Sequence, residues 1–328
     1  MKPFAYSNPA TLDAALGSLS ETVRPLAGGT DLLTLLKADL AAPERLVNVK
    51  AVLPRGIEAK PEGLEIGALT TLAEIEQHPV VREGYTALAV AASLAATPQI
   101  RNLATLGGNL LQRPRCWYFR NARIECWLKG GAECPARDGE NRNHALFGGG
   151  PCYAVHPSDI VPALLAFDAA VKIRGPRGER WMELEDFMQP PSEDRRTETV
   201  LAEDELITAL RLPPHPEPTR STYLKAMDRK AWAFALAGVA CVLRFSGRKI
   251  GHARIVLSGV APVPWRVPRA ERELLGWEAT PDRFAAAAEA ALEAAEPLRH
   301  NGYKVPLQKA LVRKALQNLT DQECKSSR

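Results

Sequence analysis

Four of the six cysteines in this 328-residue chain, Cys116, Cys126, Cys134 and Cys152, fall within 37 residues of a stretch that has no sustained hydrophobic period. That stretch, 113–155, is rich in Arg, Gly, Pro and aromatic residues and interrupts a regular alternation of strand and helix signals. A compact domain rarely carries about 40 residues without secondary structure unless a function holds them in place. The spacing Cys116-x9-Cys126-x7-Cys134-x17-Cys152 contains no short C-x-x-C-type knuckle of the kind that grips structural zinc. Thiolates spread so widely through a Gly-rich loop suit a larger group, such as a [4Fe–4S] cluster with its four Cys ligands. Seven basic residues against four acidic ones between Arg113 and Arg142 suit it too, because a thiolate-ligated cluster is anionic overall. Two plainer readings stay open on spacing alone: buried free thiols, and a zinc site that recruits His144 or His156.

The rest of the chain sets the frame. Its length predicts two domains, at about 150 residues each, and 46% hydrophobic residues are enough for real cores. The net charge of +4 (42 basic against 38 acidic residues) is small and dispersed, unlike the clustered basic face of a nucleic-acid-binding protein. The longest apolar runs, such as 231–242, fall short of the ~20 residues that span a bilayer. The N-terminal Met-Lys-Pro-Phe-Ala-Tyr lacks the pattern of a secretory signal. With Cys241 and Cys324 standing apart, the cysteines do not form a disulfide scaffold, and a reducing compartment is expected.

Before residue 110 the pattern predicts a helix carrying Leu12, Ala15, Leu16 and Leu19 on one face, then a short strand over 23–27 that stops at Gly28-Gly29. Thr30 or Asp31 then caps a helix running through Leu32, Leu33, Leu35, Leu36 and Leu40. Strands over 46–49 and 64–68, a helix opening at Thr71 and a single buried helix over 83–96 complete this part. Beyond the insert, His156-Pro-Ser-Asp159 leads into an apolar helix over 160–167 and a strand over 170–174. The run Pro213-Pro-His-Pro-Glu-Pro reads as a linker, dividing 1–212 from 219–320. After it come strands near 222–226 and 253–260, an apolar segment over 231–245, helices over 281–295 and 306–319, and a tail over 321–328. No internal repeat is evident.

Two short motifs resemble each other: Ala27-Gly28-Gly29-Thr30-Asp31 and Thr105-Leu106-Gly107-Gly108-Asn109. Glycine permits positive φ and close backbone approach, so successive N–H groups can converge on one anion. Neither motif is the G-x-G-x-x-G dinucleotide fingerprint or a P-loop, and ordinary tight turns remain the alternative.

These two motifs, followed by His156-Pro-Ser-Asp159 and Tyr223-Leu-Lys225-x3-Arg229, occur in an order that resembles the FAD-binding subunits of the molybdenum hydroxylases. That group includes xanthine dehydrogenase, carbon monoxide dehydrogenase, aldehyde oxidoreductases and 4-hydroxybenzoyl-CoA reductase. The resemblance runs from Phe4 to about Leu319. Gln112-Arg-Pro-Arg-Cys116-Trp-Tyr-Phe-Arg120 and Asp138-Gly-Glu-Asn-Arg-Asn-His144-Ala are more discriminating. They resemble the medium subunit of bacterial periplasmic aldehyde oxidoreductases, whose inserted loop carries a [4Fe–4S] cluster. The resemblance implies an α+β protein: a FAD-binding fold of the vanillyl-alcohol-oxidase (PCMH) type in two α/β subdomains, then a C-terminal domain with a three-stranded antiparallel sheet and helices. It implies that Pro25, Leu26, Ala27, Gly28, Gly29, Thr30, Asp31, Thr105, Gly108 and Asn109 contact the FAD pyrophosphate and ribityl chain. Asp159 would also bind FAD, Ile207 would lie near the adenine, and Lys225 would approach the isoalloxazine. The plainer roles are a helix N-terminus for Asp159, core for Ile207 and a solvated strand residue for Lys225. Cys116, Cys126, Cys134 and Cys152 would hold the cluster.

The same resemblance implies an electron-transfer subunit of a molybdenum-dependent aldehyde oxidoreductase. Electrons would pass from a molybdenum centre through [2Fe–2S] clusters to FAD and an external acceptor. The chain has no evident molybdopterin or [2Fe–2S] motif, so it implies two partners: a large molybdopterin-binding subunit and a small [2Fe–2S] subunit. Several relatives carry an acidic residue seven positions after the lysine, where this chain has Trp232, which makes NAD a doubtful acceptor. Three other readings differ in class. One is a self-sufficient flavin oxidase, although no histidine stands out for covalent flavin attachment. Another is a non-enzymatic zinc-loop scaffold. The third is the medium subunit of an aromatic acyl-CoA reductase, against which the arginine-rich 112–120 segment weighs. Assembly in the cytoplasm is expected, and periplasmic residence by folded co-export with a partner bearing a twin-arginine signal is compatible with it.

Overall fold

Short strands alternating with short helices build a parallel sheet from the first 50 residues. The structure, a computed structural model, describes residues 1–215 and 219–321. Pro216, Glu217 and Pro218 of the linker, and the tail from 322 including Cys324, lie outside the described residues. Arg45–Asn48 is the central strand of the first sheet, flanked in parallel by Ala5–Ser7 and Val23–Leu26. The crossovers carry the helices Leu12–Leu16, capped by the Thr11 hydroxyl, and Leu32–Lys37. Ala15, Leu16, Val23, Val47 and Val49 form its core together with Leu206 from the second sheet.

The second sheet has five strands in the order Ile57–Lys60, Gly63–Gly67, Leu206–Leu212, Ala170–Gly175 and Gly178–Glu183, and every pairing is antiparallel. Parallel pairing is thus confined to the first subdomain. The two edge strands escape the periodicity reading for a physical reason. They are mostly exposed and charged, which protects a sheet edge from further pairing but leaves no apolar alternation to detect. The helix expected over 83–96 is two helices, Pro79–Gly84 and Thr86–Leu94. Tyr85 breaks them, with φ −124°. Its ring packs edge-on against Phe167 and His215, and its hydroxyl donates to the Pro213 carbonyl at 3.2 Å.

The C-terminal sheet has four strands rather than three. To Thr219–Ala226, Ala237–Ser246 and Lys249–Ser258 it adds the two-residue edge strand Trp265–Arg266. Two residues are too short to produce a period, and prolines bracket the pair at 264 and 268. The run 237–243 reads as continuously apolar because both faces of its strand are covered. Ala240 and Val242 face the core shared with Thr86–Leu94 and Ile160–Ala166, while Val239, Cys241 and Leu243 face the C-terminal helices. Those helices are Pro268–Leu274, Pro281–Ala291 and Lys304–Asp321. The last starts ahead of Pro306, since proline is tolerated in a first helical turn.

The insert contains one regular element, the single 3₁₀ turn Trp127–Lys129. Buried Lys304 ties it to the C-terminal domain, donating to the carbonyls of His144 at 3.1 Å and Gly259 at 2.8 Å. Burial lowers the Lys304 ammonium from 10.5 to about 7. Above pH 7 the folded state therefore releases a proton that the unfolded state keeps until about 10.5, so this residue's contribution to stability rises with pH across that window. Lys304→Met should destabilise the fold by about 1–3 kcal/mol at neutral pH, the cost of orphaned carbonyls. The wild-type advantage in urea denaturation should then widen between pH 7 and pH 10, by up to about 1.4 kcal/mol per unit.

Candidate functional site

The strand Val23–Leu26 ends in a turn that only glycine can make. Gly28 lies so close to the Leu103 carbonyl that a Cβ would sit 1.9 Å from its oxygen, and Gly29 has φ +73°. Among the described residues, the N–H groups of Gly28, Gly29 and Thr30 have no hydrogen-bond acceptor. Unbonded successive amides of this kind are what an anion-binding concavity requires.

The second turn is built differently. Leu106 N donates to Thr70 O, Gly107 N to Ala68 O, Asn109 N to Thr105 O, and Gly108 N to the Thr105 hydroxyl. Its amides are spent on the scaffold. Asn109 Oδ1 accepts from the Ser158 hydroxyl, which in turn accepts from Val161 N at 3.1 Å. The Thr105–Asn109 motif and the His156–Asp159 motif are therefore locked together.

Between the two turns opens a cleft of about 1180 Å³, slightly above the ~300–1,000 Å³ of ordinary small-molecule sites. Pro25, Leu26, Ala27, Gly28, Gly29, Thr30, Asp31, Thr105, Gly108 and Ile207 all line it. Asn109, Asp159 and Lys225 do not. The Asp159 carboxylate pairs with Lys225 Nζ at 2.8 Å and accepts from the Tyr223 hydroxyl at 2.8 Å. Lys225 Nζ also donates to Leu94 O at 3.1 Å, and the Tyr223 hydroxyl meets Ser258 Oγ at 3.2 Å. Burial pushes the Asp159 carboxyl up, opposed by the Lys225 ammonium and the Tyr223 hydroxyl. Burial, then the Asp159 charge, raises the Tyr223 phenol well above its usual range.

The wall facing the diglycine turn comes from the insert. Asp31, at the head of the helix Leu32–Lys37, makes no capping bond. Instead its carboxylate accepts from Arg113 N at 2.8 Å and Arg120 Nη2 at 2.8 Å, and pairs with Arg115 Nη1 at 2.7 Å. Arg113 Nη1 pairs with buried Glu198 at 2.9 Å. Periodicity could not reveal this clamp. The arginines stood out as a basic excess, but their partners lie about 80–90 residues away in sequence.

The clamp gathers the cysteines. Cys126 and Cys152 are buried in one apolar cluster with Leu35, Phe119, Trp127, Leu128 and Ala154, and Cys116 and Cys134 pack against it. Ala154 N donates to Cys152 Sγ at 3.4 Å. Burial raises the Cys116 thiol to about 11 and also raises Cys126. The hydrogen bond between Cys134 and Cys152 pulls Cys134 down and, with burial, pushes Cys152 up. Cys116 Sγ also lies 3.2 Å from His144 Nε2. Burial, then the Lys304 charge, lowers that imidazole to about 4. Among the described residues, no three or more His, Cys, Asp and Glu side chains are arranged to hold a single metal ion. Behind the insert lies a smaller cavity of about 490 Å³ bounded by Arg115, Trp117, His144, Trp232 and Phe234. Trp232 is 60% exposed.

Comparison with known proteins identifies the family. Residues 2–215 match the FAD binding domain in molybdopterin dehydrogenase, and residues 222–319 match the CO dehydrogenase flavoprotein C-terminal domain. The aldehyde oxidoreductase FAD-binding subunit PaoB of Escherichia coli (strain K12) is 37% identical over 316 residues, covering 94% of this chain and 96% of its own. The chain belongs to the FAD-binding medium subunits of the molybdenum hydroxylases. This medium subunit is also 30% identical to the carbon monoxide dehydrogenase medium chain of Hydrogenophaga pseudoflava, over 95% of its own length and 96% of that chain. A solved structure of carbon monoxide dehydrogenase from that organism superposes with a TM-score of 0.77 at 28% identity, covering 97% of each chain. No helix among the described residues of the medium subunit is long and apolar enough to cross a membrane.

Two expectations follow. Gly28→Ala, which forces a Cβ against a backbone carbonyl, should cost more stability and more bound FAD than Gly108→Ala, whose Cβ would meet only the Thr105 hydroxyl at 3.0 Å. Thermal melts and the flavin-to-protein ratio check that order. Asp159→Asn leaves Lys225 buried and unpaired, which should cost about 3–5 kcal/mol. Asp159→Asn with Lys225→Met should recover much of that loss in urea titrations.

Proposed function

We propose that this medium subunit carries FAD in the cleft beneath the diglycine turn and a [4Fe–4S] cluster on Cys116, Cys126, Cys134 and Cys152. It serves as the electron-exit subunit of a molybdenum-dependent aldehyde oxidoreductase. The observation that carries the reading is the set of unbonded N–H groups at Gly28, Gly29 and Thr30, at the edge of a cleft large enough for a dinucleotide.

Bound flavin supplies the chemistry of taking up electrons singly and releasing them singly or in pairs. The chain's own residues bind and orient it. The Gly28–Thr30 amides meet the pyrophosphate, Thr105 and Gly108 form the opposite lip, and Ile207 offers an apolar contact for the adenine. Asp159 and Lys225 act at one remove. Joined to each other and to Tyr223, they hold the strand Thr219–Ala226 against the helices Thr86–Leu94 and Ile160–Ala166. The Ser158–Asn109 bond keeps the opposite lip of the cleft in register with that junction.

Four sulfurs gathered in and against one apolar cluster, with Ala154 N donating to Cys152 Sγ at 3.4 Å, form a candidate donor set for the cluster. Hydrogen bonds to sulfur are among the means by which proteins tune such clusters. The wide spacing of the cysteines favours a larger group over zinc, although the Cys116–His144 approach at 3.2 Å is the feature a zinc site would use. The aldehyde oxidoreductase assignment rests on the likeness to PaoB. The carbon monoxide dehydrogenase relatives are named as medium chains, which supports a large molybdopterin-binding partner with the substrate site and a small [2Fe–2S] partner. Trp232 is exposed at the position where the family resemblance implies an acidic residue, and an acceptor other than NAD is the reading that goes with it.

Purified full-length protein, made with iron and riboflavin in excess, should contain iron, labile sulfide and FAD. Cys126→Ser should lose its iron. Metal analysis decides the point: zinc in place of iron would favour the scaffold reading, and unchanged iron in the variant would remove Cys126 from the ligand set.

A further inference from the structure

The cleft has a second wall that neither glycine motif supplies. Phe119, Ile124, Cys126, Leu128 and Lys129 of the insert line it. Apart from the turn Trp127–Lys129 this wall has no regular structure, so side-chain ties set its position. One set ends on Asp31, within the diglycine motif itself, through Arg113, Arg115 and Arg120. Another ends on the 196–198 segment across the cleft. There Arg113 pairs with Glu198 and donates to Arg196 O at 2.9 Å, while Arg196 Nη1 donates to Trp127 O and to Gly131 O at 3.2 Å. Leu35, from the helix after the diglycine turn, shares the apolar cluster of Phe119, Leu128 and the cysteines.

Two cations of this wall are already occupied. Lys129 Nζ donates to the carbonyls of Tyr118 and Asn121, and Arg113 is held by Glu198 and Arg196. What the wall offers a ligand is half-buried Ile124 beside exposed Arg123, backed by Phe119 and Leu128, with Arg113 and Arg120 lying over the Phe119 ring.

Resting on the FAD reading above, we propose that the cysteine insert is part of the dinucleotide site, so that FAD binding and ordering of the insert stabilise each other through the Asp31–arginine clamp. The coupling is reciprocal, as site–site linkage must be. Whatever closes the insert raises affinity for FAD, and FAD protects the insert by the same factor.

The test uses the full chain with FAD as the probe. Hydrogen exchange is mapped with and without saturating FAD, and FAD affinity is read from flavin fluorescence in the wild type, Arg120→Met and Arg120→Lys. FAD should slow exchange at residues 28–32 and also at 119–131. Arg120→Met should weaken FAD binding about tenfold, inside the roughly 5–150-fold range of ordinary coupling, and Arg120→Lys should recover part of it. Protection confined to 28–32, or an Arg120→Met variant that binds FAD as tightly as the wild type, overturns the proposal. The wild-type exchange map does not depend on how well the variant folds. Failure of the FAD reading itself looks different: no binding, and no protection in either segment.

Discussion

A segment without a helix or a sheet ladder must still find partners for its peptide groups, because a buried unpaired carbonyl or amide is costly. In this protein one set of ties converges on the carboxylate of Asp31, and others serve the insert's carbonyls directly. Arg113, Arg115 and Arg120 reach it from the insert. Arg120 also donates to the carbonyls of Pro114 and Arg113 and to the Thr34 hydroxyl. The same device recurs along the insert, where Lys129 serves Tyr118 and Asn121, and Asn301 serves His144 and Ala145. Much of the basic excess that reads as counter-charge for an anionic cluster is therefore carbonyl-capping. Cationic side chains replace the missing ladder, and Asp31 and Glu198 balance part of their charge.

The junction between the second and third sheets follows a related logic with a different energetic meaning. Asp159, Lys225, Tyr223 and Ser258 form a closed buried network, reached from a helix of the FAD-binding domain and from strands of the C-terminal sheet. Desolvating a carboxylate and an ammonium offsets much of their mutual attraction, so such a pair adds little net stability, yet breaking it by removing one partner is expensive. The surrounding apolar contacts supply the adhesion. What the pair contributes is register: slipping the strand Thr219–Ala226 by one residue would turn Lys225 to the other face of the sheet and leave Asp159 alone in the core.

Sequence reasoning recovered the elements that carry their own local signal. The strand Val23–Leu26, the helix Ile160–Ala166 and the apolar strand within 231–245 announce themselves by composition and period. The edge strands Ile57–Lys60 and Gly178–Glu183 do not, because exposure on both faces removes the alternation. Tyr85 interrupts a stretch that is locally a good helix because its ring and hydroxyl are held by Phe167, His215 and Pro213, two of them about 130 residues away. The diglycine turn was legible as a candidate cradle. The clamp on Asp31 was not: a carboxylate beside two glycines looks locally like a helix cap, and only the folded chain brings three arginines to it.

The two glycine turns show how similar sequences divide the work of one cleft. In Thr105–Asn109 the hydroxyl of Thr105 and the carbonyls of Ala68 and Thr70 take up the amides, so the turn is rigid and closed before any ligand arrives. In Ala27–Asp31 the Gly28–Thr30 amides are unbonded among the described residues, and the Asp31 side chain is taken up by the insert instead of capping the following helix. Asp31 lines the cleft, but its carboxylate is committed to the insert's arginines rather than to the turn's own amides. The same arginines tie the opposite wall of the cleft to the diglycine motif. A geometry that breaks the local capping rule here is explained by the non-local contact that replaces it.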